Sequence, residues 1–244
     1  MRPEIAEECV EREVQVPIFG GHLSGTLGLP AGAASVVVFA HGSGSGRFSP
    51  RNQYVAESLR RARLGTLLID LLTEVEAQDR IKVFDIPLLA SRLLAAAAWL
   101  SREPATRDLR LCYFGASTGA GAALVAAARR PELVDSVVSR GGRPDLARGE
   151  LSYVQAPTLL IIGGLDEEVI ELNRQAREFL RCPSELVIVP GATHLFSEPG
   201  ALEEVARLAA EWFLRHPRSD AAPPRARSVE TGDPVDHNDQ ESPR

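Results

Sequence analysis

Leu109-Arg110-Leu111-Cys112-Tyr113-Phe114 runs directly into Gly115-Ala116-Ser117-Thr118-Gly119, and an alanine-rich stretch, Ala120 to Arg129, follows. A short apolar run, a glycine-flanked serine and then helix-forming residues spell strand, tight turn and helix. A serine hydroxyl is a weak nucleophile and must be presented on a sharp turn to act as one. Small residues beside it let the chain turn and let the helix start next to the strand. The five-residue pattern is short, so its weight depends on what surrounds it.

On the N-terminal side, Val14 to Ile18 and His22 to Leu29 are alternating runs around Gly20-Gly21, a hairpin signal. Ser35 to Ala40 is Val-rich and apolar, as a buried parallel strand is, and ends at His41-Gly42-Ser43-Gly44. Pro50 to Ala62 has helical periodicity, Gly65 to Leu71 reads as a strand, and Leu72 to Lys82 as a polar, acidic loop. Asp85 to Leu100 predicts a long helix with Pro87 tolerated in its first turn. Beyond the serine, Leu133 to Ser139, Thr158 to Ile162 and Glu185 to Val189 predict strands. Glu167 to Leu180 and Leu202 to Leu214 predict helices. This alternation implies right-handed crossovers and an α/β fold with a mostly parallel sheet covered on both faces. One domain over residues 1–216 accounts for it, with no room for a large cap. Residues 217–244 hold five prolines, no Phe, Trp or Tyr and mixed charge, and are predicted to form a disordered tail.

The 244 residues are 44% hydrophobic with a net charge of -6, which does not favour nucleic acid or an anionic membrane as partner. The longest apolar run, Leu93 to Leu100, falls well short of the ~18 residues of a membrane helix. Met1 to Arg12 is charged and carries no apolar signal segment, so a cytoplasmic location is expected. Cys9, Cys112 and Cys182 are scattered, without disulfide or metal spacing, and no metal or cofactor is expected. The expected partner is a small-molecule acyl substrate; the oligomeric state stays open.

Parallel sheets gather their chemistry on loops at the carboxyl ends of strands. Four such loops carry His41-Gly42-Ser43, Ser117, Asp166 and His194. Ser117 is the candidate nucleophile, His194 the candidate base that later protonates the leaving group, and Asp166 the carboxylate that orients the imidazole. The backbone N–H groups of Thr118 and Ser43 are the candidate oxyanion donors. Asp166 equally suits a helix N-cap, and Asp145, after the preceding strand, is the rival acid. His41 reads as a structural group that fixes the oxyanion loop. Arg140 and Arg143 sit on a predicted loop near the site, where recognition of a substrate carboxylate or phosphate competes with solvent-facing charge. Glu74, Glu76 and Asp79 read as a solvated lid edge. Gly42 to Arg47 is glycine-rich but lacks the lysine of a phosphate-binding loop, so an oxyanion loop explains it more simply.

His41-Gly42-Ser43-Gly44-Ser45, Gly115-Ala116-Ser117-Thr118-Gly119, Gly164-Leu165-Asp166 and Gly191-Ala192-Thr193-His194-Leu195-Phe196 together resemble the α/β-hydrolase superfamily. The Ser, Asp, His chain order agrees. More narrowly, residues 14–215 look like the dienelactone hydrolase-related branch, which is small and largely without a cap. The resemblance implies an eight-stranded sheet that opens with the hairpin, and Ser117, Asp166 and His194 as triad. Dienelactone hydrolases proper use cysteine at the elbow; serine here points to cleavage of a small ester, thioester or lactone. Acyl transfer by the same triad, and a non-catalytic binding module on this fold, remain the alternatives.

Overall fold

The strand that leads to Ser117 lies at the centre of the sheet. In the computed structural model, which describes residues 9–147 and 149–216, it is β5 (Arg110–Ala116), flanked by β3 (Ser35–Ala40) and β6 (Val134–Arg140). The predicted tail at 217–244 lies outside the described residues. Eight strands form one sheet: β1 (Val10–Ile18), β2 (Gly21–Leu29), β4 (Gly65–Ile69), β3, β5, β6, β7 (Thr158–Gly163) and β8 (Ser184–Val189), in that spatial order. The β1–β2 hairpin turns at Phe19-Gly20 and pairs antiparallel, as does β2 with β4; every other pairing is parallel. The chain leaves β3 toward β4 and then returns across it to β5. The crossovers reverse there, which opens a crevice at the carboxyl ends of β3 and β5.

Two helical layers cover the sheet, whose central strands are buried on both faces. α3 (Ile86–Leu100), α4 (Thr118–Arg129) and α5 (Glu167–Phe179) pack on one face, where Leu93, Leu124 and Val169 join the core around Tyr113 and Val137. α1 (Pro50–Arg61) and α6 (Ala201–Arg215) cover the other face, packing Val55, Leu59 and Phe213 over Phe39 and Phe114. The rings of Phe39 and Phe114 lie 4.9 Å apart, centroid to centroid. The α4 sequence, mostly Gly and Ala, is what lets that helix sit almost wholly buried against the central strands. Asp85 caps α3 by accepting the Leu88 N–H at 2.9 Å.

Among the segments that differ from the sequence expectation, two bear on the site. The stretch after β4 is not plain loop: it holds a 3-10 turn, Glu76–Gln78, and a one-turn helix, α2 (Arg80–Val83), capped by Asp79. Elements that short show no periodicity to read. β6 also runs one residue further than predicted, so Arg140 is its last strand residue instead of a loop residue.

Candidate active site

Ser117 stands between β5 and α4 with φ 50 and ψ -122, a conformation that side-chain-bearing residues avoid. The surroundings enforce it. Its N–H donates to the Arg140 carbonyl at 3.3 Å, and its carbonyl accepts from Ala120 and Arg143, each at 3.1 Å. A Cβ on Gly119 would lie 2.1 Å from the Ala40 carbonyl oxygen, and one on Gly115 would lie 2.4 Å from the Ala120 Cα. Both glycines are therefore demanded by close backbone approach. Holding a residue in such a region costs about 1–3 kcal/mol, which persists only when packing over-determines it.

Asp166 and His194 meet across two further loops. Asp166 stands at the N-cap position of α5 but makes no side-chain cap hydrogen bond. Its Oδ2 lies 2.6 Å from His194 Nδ1 instead. Gly141, at φ +50, lies flat against the imidazole; a Cβ there would come 3.4 Å from Nδ1. Glu198, which carried no motif signal, pins the histidine loop by accepting from the Thr193 N–H at 3.0 Å and the Thr193 hydroxyl at 2.6 Å. These two donors hold the Glu198 carboxyl below its ordinary pKa. The rival Asp145 is engaged elsewhere: both of its oxygens accept from Arg143, at 2.9 and 2.8 Å. Among the described residues, no hydrogen bond joins Ser117 Oγ to His194.

The loop after β3 is fixed by His41. Its Nδ1 lies 3.0 Å from the Gly42 carbonyl, and its Nε2 accepts the Leu71 N–H at 3.0 Å, which defines a neutral ring with the proton on Nδ1. Burial pushes its pKa down. Ser43 and Thr118, whose N–H groups are the candidate oxyanion donors, are joined directly: the Ser43 N–H donates to Thr118 Oγ1 at 3.0 Å. An incoming oxyanion has to share or displace that bond. The Thr118 N–H opens α4, where the first amides lack intrahelical acceptors.

With this geometry in view, the comparisons with known proteins are decisive about family. A dienelactone hydrolase from Anabaena variabilis superposes with a TM-score of 0.84 at 57% identity, covering 86% of this chain and 99% of that one. The chain belongs to the dienelactone hydrolase family. Two Mycobacterium tuberculosis proteins, provisionally named phosphoribosyl transferases, are each 56% identical over 206 residues, 84% of this chain and 46% of theirs. The chain thus spans about half the length of the curated relatives it matches. Est1E from Butyrivibrio proteoclasticus, 16% identical with a TM-score of 0.71, shares the fold. No family model matches the chain.

Within this dienelactone hydrolase family member, a cleft of about 270 Å³ opens beside Ser43 and Thr118, walled by Leu72, Ala77, Val83 and Leu89. The lid edge is more ordered than a solvated loop: Glu76 accepts from Arg92 at 2.8 Å and from the Thr73 N–H at 3.0 Å. Arg140 is a correction to the solvent-facing alternative. It is 8% exposed, and its Nε and Nη1 are sealed without hydrogen-bond partners. Burial pushes its pKa down to about 10, with the positive charge of Arg51 acting in the same direction. Among the described residues, no group of His, Cys, Asp and Glu could hold a metal ion, and no helix is long and apolar enough to cross a membrane.

Proposed function

We propose that this chain is a serine hydrolase that cleaves a small ester, thioester or lactone through an acyl-serine intermediate. The observation that carries the reading is the short Asp166–His194 contact, 2.6 Å, at the same sheet edge as a serine held at positive φ. The strained turn exposes Ser117 Oγ, and the carboxylate leaves His194 Nε2 free to take its proton. Attack on the acyl carbon puts negative charge on the carbonyl oxygen, which takes the Thr118 N–H and draws the Ser43 N–H from its bond to Thr118 Oγ1. Such donors act on charge that develops in the transition state, each worth about 3 kcal/mol in comparable sites. His194 then protonates the departing oxygen or sulfur. A water gives its proton to His194, attacks the acyl-serine, and releases the acid with Ser117 regenerated.

The reaction so written consumes water and requires no metal or cofactor. The cleft beside Thr118 suits a small acyl group, with Leu72, Val83 and Leu89 as apolar walls. The His194 side chain is 39% exposed, which leaves water a route to the acyl-enzyme and favours hydrolysis over transfer to another acceptor. In this reading the enzyme is cytoplasmic and acts on a diffusible small molecule.

Labelling the folded protein with a fluorophosphonate probe tests the proposal. Stoichiometric modification that disappears in Ser117→Ala is the expected result. Folded protein that stays unlabelled overturns it.

A further inference from the structure

On the face of the sheet opposite the acyl cleft, positive charge is collected with no counter-charge among the described residues. Arg140 pairs with Ile161 of β7, and its guanidinium lies 5.9 Å from the centre of the Phe196 ring. Ile161 and Phe196 belong to the core layer that α1 and α6 cover, so the arginine side chain lies on that face of the sheet, near enough to Arg51 in the first turn of α1 for the two positive charges to repel. That first turn contains Arg51 and Asn52 and no acidic residue. A cation there opposes the helix dipole, whose N-terminus already carries partial positive charge. Arg140 Nε and Nη1, Arg51 Nε and Asn52 Oδ1 are all sealed and unpartnered. No carboxylate pairs with Arg140 or Arg51 among the described residues. A buried guanidinium is normally matched by a partner, because an unpaired buried charge costs several kcal/mol.

We propose that Arg140, Arg51 and the first turn of α1 form a binding site for a phosphate group beside Ser117 and His194. Phosphate oxygens accept from guanidinium groups in bidentate fashion and from the free N–H groups of a helix N-terminus. Two guanidinium groups and a helix N-terminus match the double charge and the three or more acceptor oxygens of a phosphate. A carboxylate brings one charge and two oxygens and leaves part of that donor set unmet. The site adjoins the reacting groups through the backbone: the Arg140 carbonyl holds the Ser117 N–H, and Gly141 packs on the His194 ring. Because His194 protonates the leaving group, its side of Ser117 is where the leaving group stands. A phosphate on that half of the substrate reaches Arg140, an assignment that rests on the hydrolase reading; the site itself does not.

Thermal unfolding of the full chain in sodium phosphate and in sodium acetate, at matched pH and ionic strength, tests the site. At about ten times Kd, phosphate raises Tm by about 4 °C, and acetate raises it far less. Arg51→Gln, at a half-buried position, folds and loses the phosphate response. Arg140→Met also loses it while unfolding at the same or a higher temperature, because an apolar side chain replaces an unpaired buried charge. Equal shifts from phosphate and acetate, or an undiminished response in Arg51→Gln, overturn the proposal. Ser117→Ala keeps the response, so failure of the site and failure of the hydrolase reading are separate results. Inhibition by inorganic phosphate that is competitive against a phosphate-bearing ester marks the site as part of substrate recognition. A changed kcat on p-nitrophenyl acetate marks it as a site for free phosphate.

Discussion

Asp166 and Asp145 stand on neighbouring loops at the same sheet edge, yet one faces an imidazole and the other a guanidinium. His194 Nδ1 takes the first at 2.6 Å, and Arg143 grips both oxygens of the second. Asp166→Asn is therefore expected to lower kcat on p-nitrophenyl acetate by about 10⁴-fold, since an amide can stabilise the wrong tautomer. Asp145→Asn is expected to lower it less than about tenfold while lowering Tm through loss of the Arg143 pair. The reverse ranking would move the acid to Asp145. Ser117 supports a second prediction. At φ 50 glycine is at ease and alanine is not. Ser117→Gly should be more stable than Ser117→Ala by about 1 kcal/mol in urea unfolding, both being without a nucleophile. Equal stabilities would show that the elbow is not strained. The motif at residues 115–119 carried this much in the sequence. Arg140 did not: whether a strand-end arginine faces solvent or core depends on a one-residue strand extension and on a register shift at Leu111/Cys112, at the far end of the same strand pair.

The oxyanion loop depends on one ring, and that ring titrates. His41 accepts the Leu71 N–H through Nε2, so a proton on that nitrogen would set donor against donor. Burial is the main reason its pKa is lowered from 6.5; the Gly42 carbonyl and the Asp70 charge oppose the shift. Above pH 6.5 the ring is neutral in the folded and unfolded chain alike and adds no pH dependence. Below it, the unfolded chain takes up a proton that the folded one refuses, so stability falls as pH drops from 6.5 toward the folded value. The slope from this group is at most about 1.4 kcal/mol per pH unit. His41→Gln should flatten the fall in stability between pH 6.5 and pH 5, measured by urea unfolding at each pH. An unchanged slope would mean that His41 titrates normally. The structural role of His41 could be read from its place before Gly42-Ser43. The turn and helix at residues 76–83 could not, because a single turn leaves no apolar period to detect.

At the scale of the whole molecule, the sheet divides the three thiols by accessibility. Cys9 is exposed, Cys182 is partly buried, and Cys112 lies within central β5, where burial pushes its pKa up to about 12. An aromatic disulfide reagent should modify Cys9 quickly in the native protein and reach Cys112 only at the rate of global unfolding. Rapid native-state modification of Cys112 would contradict a sheet covered on both faces. The sequence by itself determined the strand–turn–helix setting of Ser117, the alternation that makes a parallel sheet, and the chain order of serine, aspartate and histidine. These are local or periodic properties, written in runs of a few residues. The tertiary structure alone decided which carboxylate meets His194, that the Ser43 N–H turns to Thr118, and that Arg140 lies buried with its Nε and Nη1 unpartnered among the described residues. Each of those joins residues that are distant in the chain, through strand pairing and crossover direction, and the physics of such contacts appears once the sheet has closed.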